Sequence, residues 1–158
     1  MGTGYHRHMN APSFILGFAL LAAASAAVAK PAECRPVVEQ AWIRAAPPAA
    51  TTLAGYAVVR NPCPSPFAVT GVASADFAMA MIHETIVEKG VSQMRHASSL
   101  PVPARGSLVF APGGRHMMLM HPRRVLKEGD RVRLVLNLAG GGQIAVAAVV
   151  QREPPARR

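Results

Sequence analysis

From Lys30 onward, apolar and polar positions follow one another in short runs, and no long stretch keeps the period of an amphipathic helix. The runs are rich in Val, Ile, Leu and Met and are punctuated by Pro and Gly at intervals close to those of a sandwich. This pattern predicts strands over 38–44, 53–60, 67–74, 78–86, 91–96, 106–111, 115–121, 131–138 and 143–150. Between them, Glu88-Lys89-Gly90, Pro112-Gly113-Gly114, Glu128-Gly129-Asp130 and Gly140-Gly141-Gly142 supply glycine where a turn needs positive φ. With no repeat and no helix to cover a parallel sheet, the strands should be antiparallel and should form an all-β, two-sheet Greek-key sandwich over residues 30–150. Residues 151–158, with the sequence Gln-Arg-Glu-Pro-Pro-Ala-Arg-Arg, read as a basic, disordered tail.

The region before the first strand has a different character. Arg7 supplies a short basic segment, Phe14 to Ala24 an apolar stretch, and Ala27-Val28-Ala29 a small-residue cleavage motif. Together they read as a secretory signal peptide over residues 1–29, removed after Ala29, which places the mature protein in the periplasm. The apolar stretch is about half the roughly 20 strongly apolar residues that a spanning helix needs, so no stable membrane anchor is expected. Lipidation at Cys34 is also disfavoured, because Pro31-Ala32-Glu33 replaces the small and aliphatic residues that normally precede a lipidated cysteine.

Export to an oxidising compartment changes the reading of the two cysteines. Cys34 and Cys63 could pair, closing a loop of about 30 residues and stabilising the fold by roughly 3 kcal/mol in the chain-entropy account. The alternative is two separate thiols. Loss of Arg7 with the leader leaves sixteen basic and eight acidic residues, a formal charge of about +8. Such a charge suits an acidic partner, an anionic membrane surface or simply a solvated basic surface. Nucleic acid is not expected as a partner: there is no basic helix, no aromatic-basic interleaving and no access to it after export.

The most informative chemistry lies between residues 83 and 118, where His83, Met94, His116 and Met118 are spaced as H-x10-M-x21-H-x-M. Thioether sulfur is a soft neutral donor and imidazole suits the same ion, so two Met with two His favour Cu(I) over harder cations. Magnesium and calcium would call for carboxylates, and this window offers Glu84 and Glu88 alone. Neither cysteine falls within it, which disfavours a thiolate zinc site.

Strand geometry gives the spacing a meaning. If the hairpin of 78–86 and 91–96 turns between Glu88 and Lys89, His83 sits directly opposite Met94, with Cβ atoms about 5 Å apart. His116 and Met118, two residues apart, point to one side of an extended segment and can act as a clamp. The separation of 21 residues between Met94 and His116 has no local geometry. Met79, Met81, Met117 and Met120 are assigned to packing or to the rim of the site. His96 and His121 are weaker candidate ligands, and His6 and His8 would leave with the leader.

On these residues the chain resembles the periplasmic copper chaperone family, of PCuAC type, associated with assembly of the CuA centre of cytochrome c oxidase. The likeness includes the four-ligand spacing and the stretch Gly113-Gly114-Arg115-His116-Met117-Met118-Leu119-Met120. It extends to Ala41-Trp42-Ile43-Arg44, the Tyr56 strand ending at Asn61, and Leu126-Lys127-Glu128-Gly129-Asp130, and covers roughly residues 38–150. The resemblance implies a cupredoxin-like β-sandwich that binds one Cu(I) through His83, Met94, His116 and Met118. It implies delivery to a copper acceptor such as the CuA domain; a second copper chaperone as a further partner and a monomeric protein are expectations that the sequence itself does not fix. Cys34 and Cys63 are departures from the general family pattern, as is the short tail. Electron transfer or copper storage by a cupredoxin-like protein is the alternative. A blue-copper site, however, needs a Cys thiolate beside its two His, and neither Cys lies near this cluster. Catalysis is not expected, because Glu84 is the one acid-base group nearby and strand alternation points it away from His83.

Overall fold

The computed structural model describes residues 1–3 and 34–156. The expected leader, with its apolar stretch and cleavage motif, lies almost wholly outside the described residues. The chain divides into two compact units, Met1–Ala32 and Glu33–Arg158; the second carries every strand described below.

Ten strands form this unit: β1 (Val37–Arg44), β2 (Thr52–Arg60), β3 (Phe67–Ala73), β4 (Phe77–Glu88) and β5 (Val91–His96), then β6 (Leu100–Val102), β7 (Ser107–Phe110), β8 (Arg115–Pro122), β9 (Arg131–Leu138) and β10 (Gln143–Gln151). Their hydrogen-bonded order is β5-β4-β8-β2-β1-β10-β9-β3-β6, with β7 also beside β2. The architecture is an all-β, cupredoxin-like sandwich.

Alternation builds the core. Val132, Leu134 and Leu136 of β9 point inward with no exposed surface, as do Met117 and Leu119 of β8 and Ile82 of β4 within about one per cent. These side chains belong to one buried cluster with Ile43, Val59, Val69 and Val150. Gly55 is required on β2 where it faces Met117: a Cβ there would meet Leu119 Cδ1 at 3.3 Å and Met117 Cβ at 3.4 Å.

Three features depart from the sequence reading. β1 runs parallel to β10 rather than antiparallel, through Trp42 with Val149 and Ile43 with Val150. This pairing joins the first and last strands of the sandwich, so neither a turn nor a crossover motif marks it. β6 was not expected, because it is three residues long with Pro101 at its centre. Proline is tolerated there because β6 ends the sheet path and has β3 as its partner. The tail also begins later than expected: Gln151 closes β10, Arg152 pairs with Glu128 at 3.0 Å, and Pro154 and Pro155 line a cleft with Trp42.

Cys34 and Cys63 form a disulfide with Cα atoms 5.6 Å apart, tying the start of the domain to the loop after β2. The buried Asn61 organises that loop. Its side-chain amide donates to the Ser65 and Pro103 carbonyls at 2.9 Å, and its Oδ1 accepts from Cys63 N–H at 3.0 Å.

Candidate metal centre

The site is built on three adjacent strands, β5, β4 and β8, at one end of the sheet path. Lys89 and Gly90 form the β4–β5 turn, both with positive φ, at 51° and 79°. A two-residue hairpin turn of the favoured twist needs positive φ at both central positions, and Gly90 meets that need at the second. The turn is therefore centred between Lys89 and Gly90, one residue later than expected, with Glu88 opposite Val91.

This corrects the register within the site. Thr85, not His83, is directly opposite Met94, and His83 faces His96. A shift of one residue at the turn moves the pairing by two on the partner strand, which preserves the face on which each side chain points. His83 and Met94 become diagonal neighbours, still within reach of a long thioether. His83 Nδ1 lies 3.5 Å from Met94 Sδ. For comparison, two donors of one tetrahedral zinc ion, at zinc–nitrogen and zinc–sulfur lengths of about 2.0 and 2.3 Å, sit about 3.5 Å apart.

The long-range gap is closed by pairing of β4 with β8. His83 is directly opposite His116, and Met81 opposite Met118. The His83 and His116 rings are 6.1 Å apart between centroids and steeply inclined at 73°. His116 is buried to 9 % exposure, and its Nδ1 lies 3.0 Å from the Gly114 carbonyl oxygen. Donation from Nδ1–H to that carbonyl fixes the tautomer and leaves Nε2 as the free donor atom. Met118 is half-buried one rung away, between Met81 on β4 and Ala54 on β2. All four expected residues thus occupy one face of three neighbouring strands, with the direct approaches at His83–Met94 and His83–His116.

Burial pushes the His83 imidazole below its ordinary pKa, and the neighbouring His116 and His96 add to the effect. Each change favours the neutral ring, the form that can bind a metal. Glu84 points away from His83 and pairs with Arg115 at 2.8 Å, across the same two strands on the opposite face. Among the described residues, no three His, Cys, Asp or Glu side chains converge as a metal cluster. A site of three or more donors at this place therefore draws on the thioethers.

His96 was given little weight from sequence, yet its ring is 5.9 Å from that of His83. The signal was present in the Lys89-Gly90 turn, which sets His96 opposite His83. His121 does not join the site: it is exposed, with φ of 51°, and its odd position on β8 sets it on the other face from Met118 and Met120. Met117 is core, whereas Met79, Met81 and Met120 share the face of His83 and His116.

A putative lipoprotein of Leifsonia xyli subsp. xyli is 32% identical over 115 residues, which covers 72% of this chain and 68% of that protein. Among solved structures, CuI-DR1885 from Deinococcus radiodurans is 31% identical with a TM-score of 0.61, covering 77% of this chain and 82% of that one. The copper-bound PCuAC domain from PmoF2 is 24% identical with a TM-score of 0.62, covering 75% and 93% respectively. The family model described as "Putative lipoprotein LpqE-like" matches residues 37–150. With that match across the whole sandwich and a fold shared with PCuAC domains, the chain belongs to the LpqE-like family of PCuAC-related proteins.

Proposed function

We propose that this protein is an exported copper chaperone that holds one Cu(I) through His83, Met94, His116 and Met118 and passes it to an acceptor such as the CuA centre of cytochrome c oxidase. The observation that carries the reading is the approach of His83 Nδ1 to Met94 Sδ at 3.5 Å with His116 directly across the strand pair. The copper-bound state of the PmoF2 domain and the Cu(I) state of DR1885 support the choice of ion.

The donor set suits the task. Thioethers form no disulfide and carry no proton, so an oxidising compartment leaves them available where a thiolate pair would close. A site on an exposed edge can release its ion by stepwise ligand exchange, one acceptor thiolate replacing one thioether at a time. Electron transfer through a copper-thiolate is disfavoured because the sulfurs of Cys34 and Cys63 are joined to each other. The same bond argues against lipidation at Cys34, which needs that sulfur for a thioether link, even though the relative from Leifsonia xyli is named a lipoprotein.

An anaerobic titration of the protein with Cu(I) against a chromophoric chelator tests the site, run beside His83→Ala and Met118→Ala. One tightly held equivalent, weakened in both variants, is expected. Failure of the wild type to compete, or equal binding by the variants, removes the proposed site. Copper-loaded protein mixed with a reduced CuA domain then tests delivery.

A further inference from the structure

Five of the eight methionines of the chain, Met79, Met81, Met94, Met118 and Met120, lie on one face of β5, β4 and β8. The β4–β8 register places them in rungs. His83 faces His116, Met81 faces Met118 at the next rung, and Met79 faces Met120 at the one beyond. Successive rungs on one face are two residues apart, or about 7 Å. Directly opposed side chains have Cβ atoms about 5 Å apart, a span that two flexible thioethers close easily.

These outer methionines are not core filler. Met79 is 47% exposed, and Met81 and Met120 are half-buried, whereas Met117, between Met118 and His116 in sequence, is 1% exposed within the core. Half-exposed strand positions ordinarily favour Val, Ile, Thr and aromatic residues, whose branched or flat shapes fit the pleat. Here the rungs carry thioethers, and the neighbouring positions on β2 are small: Thr52 beside Met120 and Ala54 beside Met118. No carboxylate or thiol occupies these two rungs, so their donors are all soft and neutral.

We infer that Met79, Met81 and Met120 form a second, thioether-only site for a soft monovalent cation, Cu(I) or Ag(I), one to two rungs along the sheet from His83 and His116. Three neutral sulfurs suit the low coordination number that such ions accept, and they offer nothing to Mg²⁺ or Zn²⁺. With no imidazole, the second site is the weaker of the two. Met118 stands between the sites, opposite Met81 and one rung from His116, so an ion can pass along the ladder by exchanging one thioether for the next. The ladder stands on its own geometry and does not depend on which residues bind at His83.

The test is an anaerobic titration of the full protein, labelled with ¹³C in the methionine methyl groups, using Ag(I) as a redox-silent probe. The first equivalent is expected to move the Met94 and Met118 methyl signals, and the second those of Met79, Met81 and Met120. In the double variant Met79→Leu, Met120→Leu, which keeps the apolar volume of the face, the weaker second equivalent of Cu(I), read against a low-affinity chelator, should be lost, while the one tightly held equivalent remains. Binding of the first equivalent should be unchanged. The proposal is overturned if the Met79, Met81 and Met120 signals of the wild type stay still through several equivalents, or if the double variant still takes two. In His83→Ala the ladder signals should still move, so failure of the four-ligand site and failure of the ladder are read on different methyl groups.

Discussion

β9 and β5 are strands of similar length at opposite extremes of burial. β9 alternates strictly, with Val132, Leu134 and Leu136 sealed in the core, and is paired on both sides by β10 and β3. β5 is exposed at every residue and, among the described residues, is paired to β4 alone. The first is held by packing, the second by one hairpin and its ladder. Local opening free energies are lowest where buried apolar contacts are few, so the sheet end that carries the proposed donors is also the end best able to rearrange, as the proposed ligand exchange would need. Stability and chemistry have been placed at different ends of one sheet.

The sharpest way to break this comparison is to truncate one side chain on each strand. Leu134→Ala should cost about 2–5 kcal/mol in chemical denaturation, by lost transfer energy and the cavity left behind. Met94→Ala, at a 59% exposed position, should change stability by no more than about 0.5 kcal/mol. Its Cu(I) affinity should nevertheless fall by more than the roughly 10- to 100-fold that loss of an outer-shell partner costs. Comparable stability losses in the two variants would mean that β5 is integral to the packing.

Replacing both cysteines, as Cys34→Ser with Cys63→Ser, should lower stability by roughly 3 kcal/mol, since the bond closes a loop spanning 29 residues. Thermal melts will read that loss, and Cu(I) affinity should stay unchanged because the donors lie on other strands. A smaller effect is expected at the turn. Gly90→Ala places a side chain at φ of 79° and should cost about 1 kcal/mol. Cu(I) binding should weaken with it, because the turn sets where Met94 and His96 fall.

The smallest effect concerns pH. His83 has a lowered pKa when folded, so the unfolded chain takes up its proton first as pH falls. The stability this residue contributes is present above pH of about 6.5 and is lost as pH drops from there toward its folded value. An NMR titration of its ring should show a midpoint below 6.5. A midpoint above 6.5 would show that the ring is neither desolvated nor repelled by its neighbours.

Much of the sandwich could be read from local signals. Short apolar or alternating runs bounded by Pro and Gly located nine strands, because buried faces and turn residues write themselves directly into the sequence, and β5, exposed throughout, was marked by the Gly90 turn before it. β6 was hidden because Leu100-Pro101-Val102 is too short to show a period and carries a proline. The parallel union of β1 and β10 was hidden because it joins residues about a hundred positions apart with no connecting turn. At the site, parity survived an error of register: a turn misplaced by one residue changed the partner of His83 from Met94 to His96 but left both on one face. The meeting of His83 with His116 depended on β4 finding β8, which no spacing in the chain could specify.

The outer edge of β5 has a consequence for solubility. Among the described residues no strand covers this edge, and its backbone donors and acceptors form a template to which another strand can add, a hazard that native proteins blunt with charge on the edge. Arg95, held to Glu88 at 2.8 Å, is the charged side chain within this strand. An ion bridging Met94 on β5 to His83 on β4 would stitch that edge to its neighbour. The protein without such an ion would then be the form most prone to pair with a second copy.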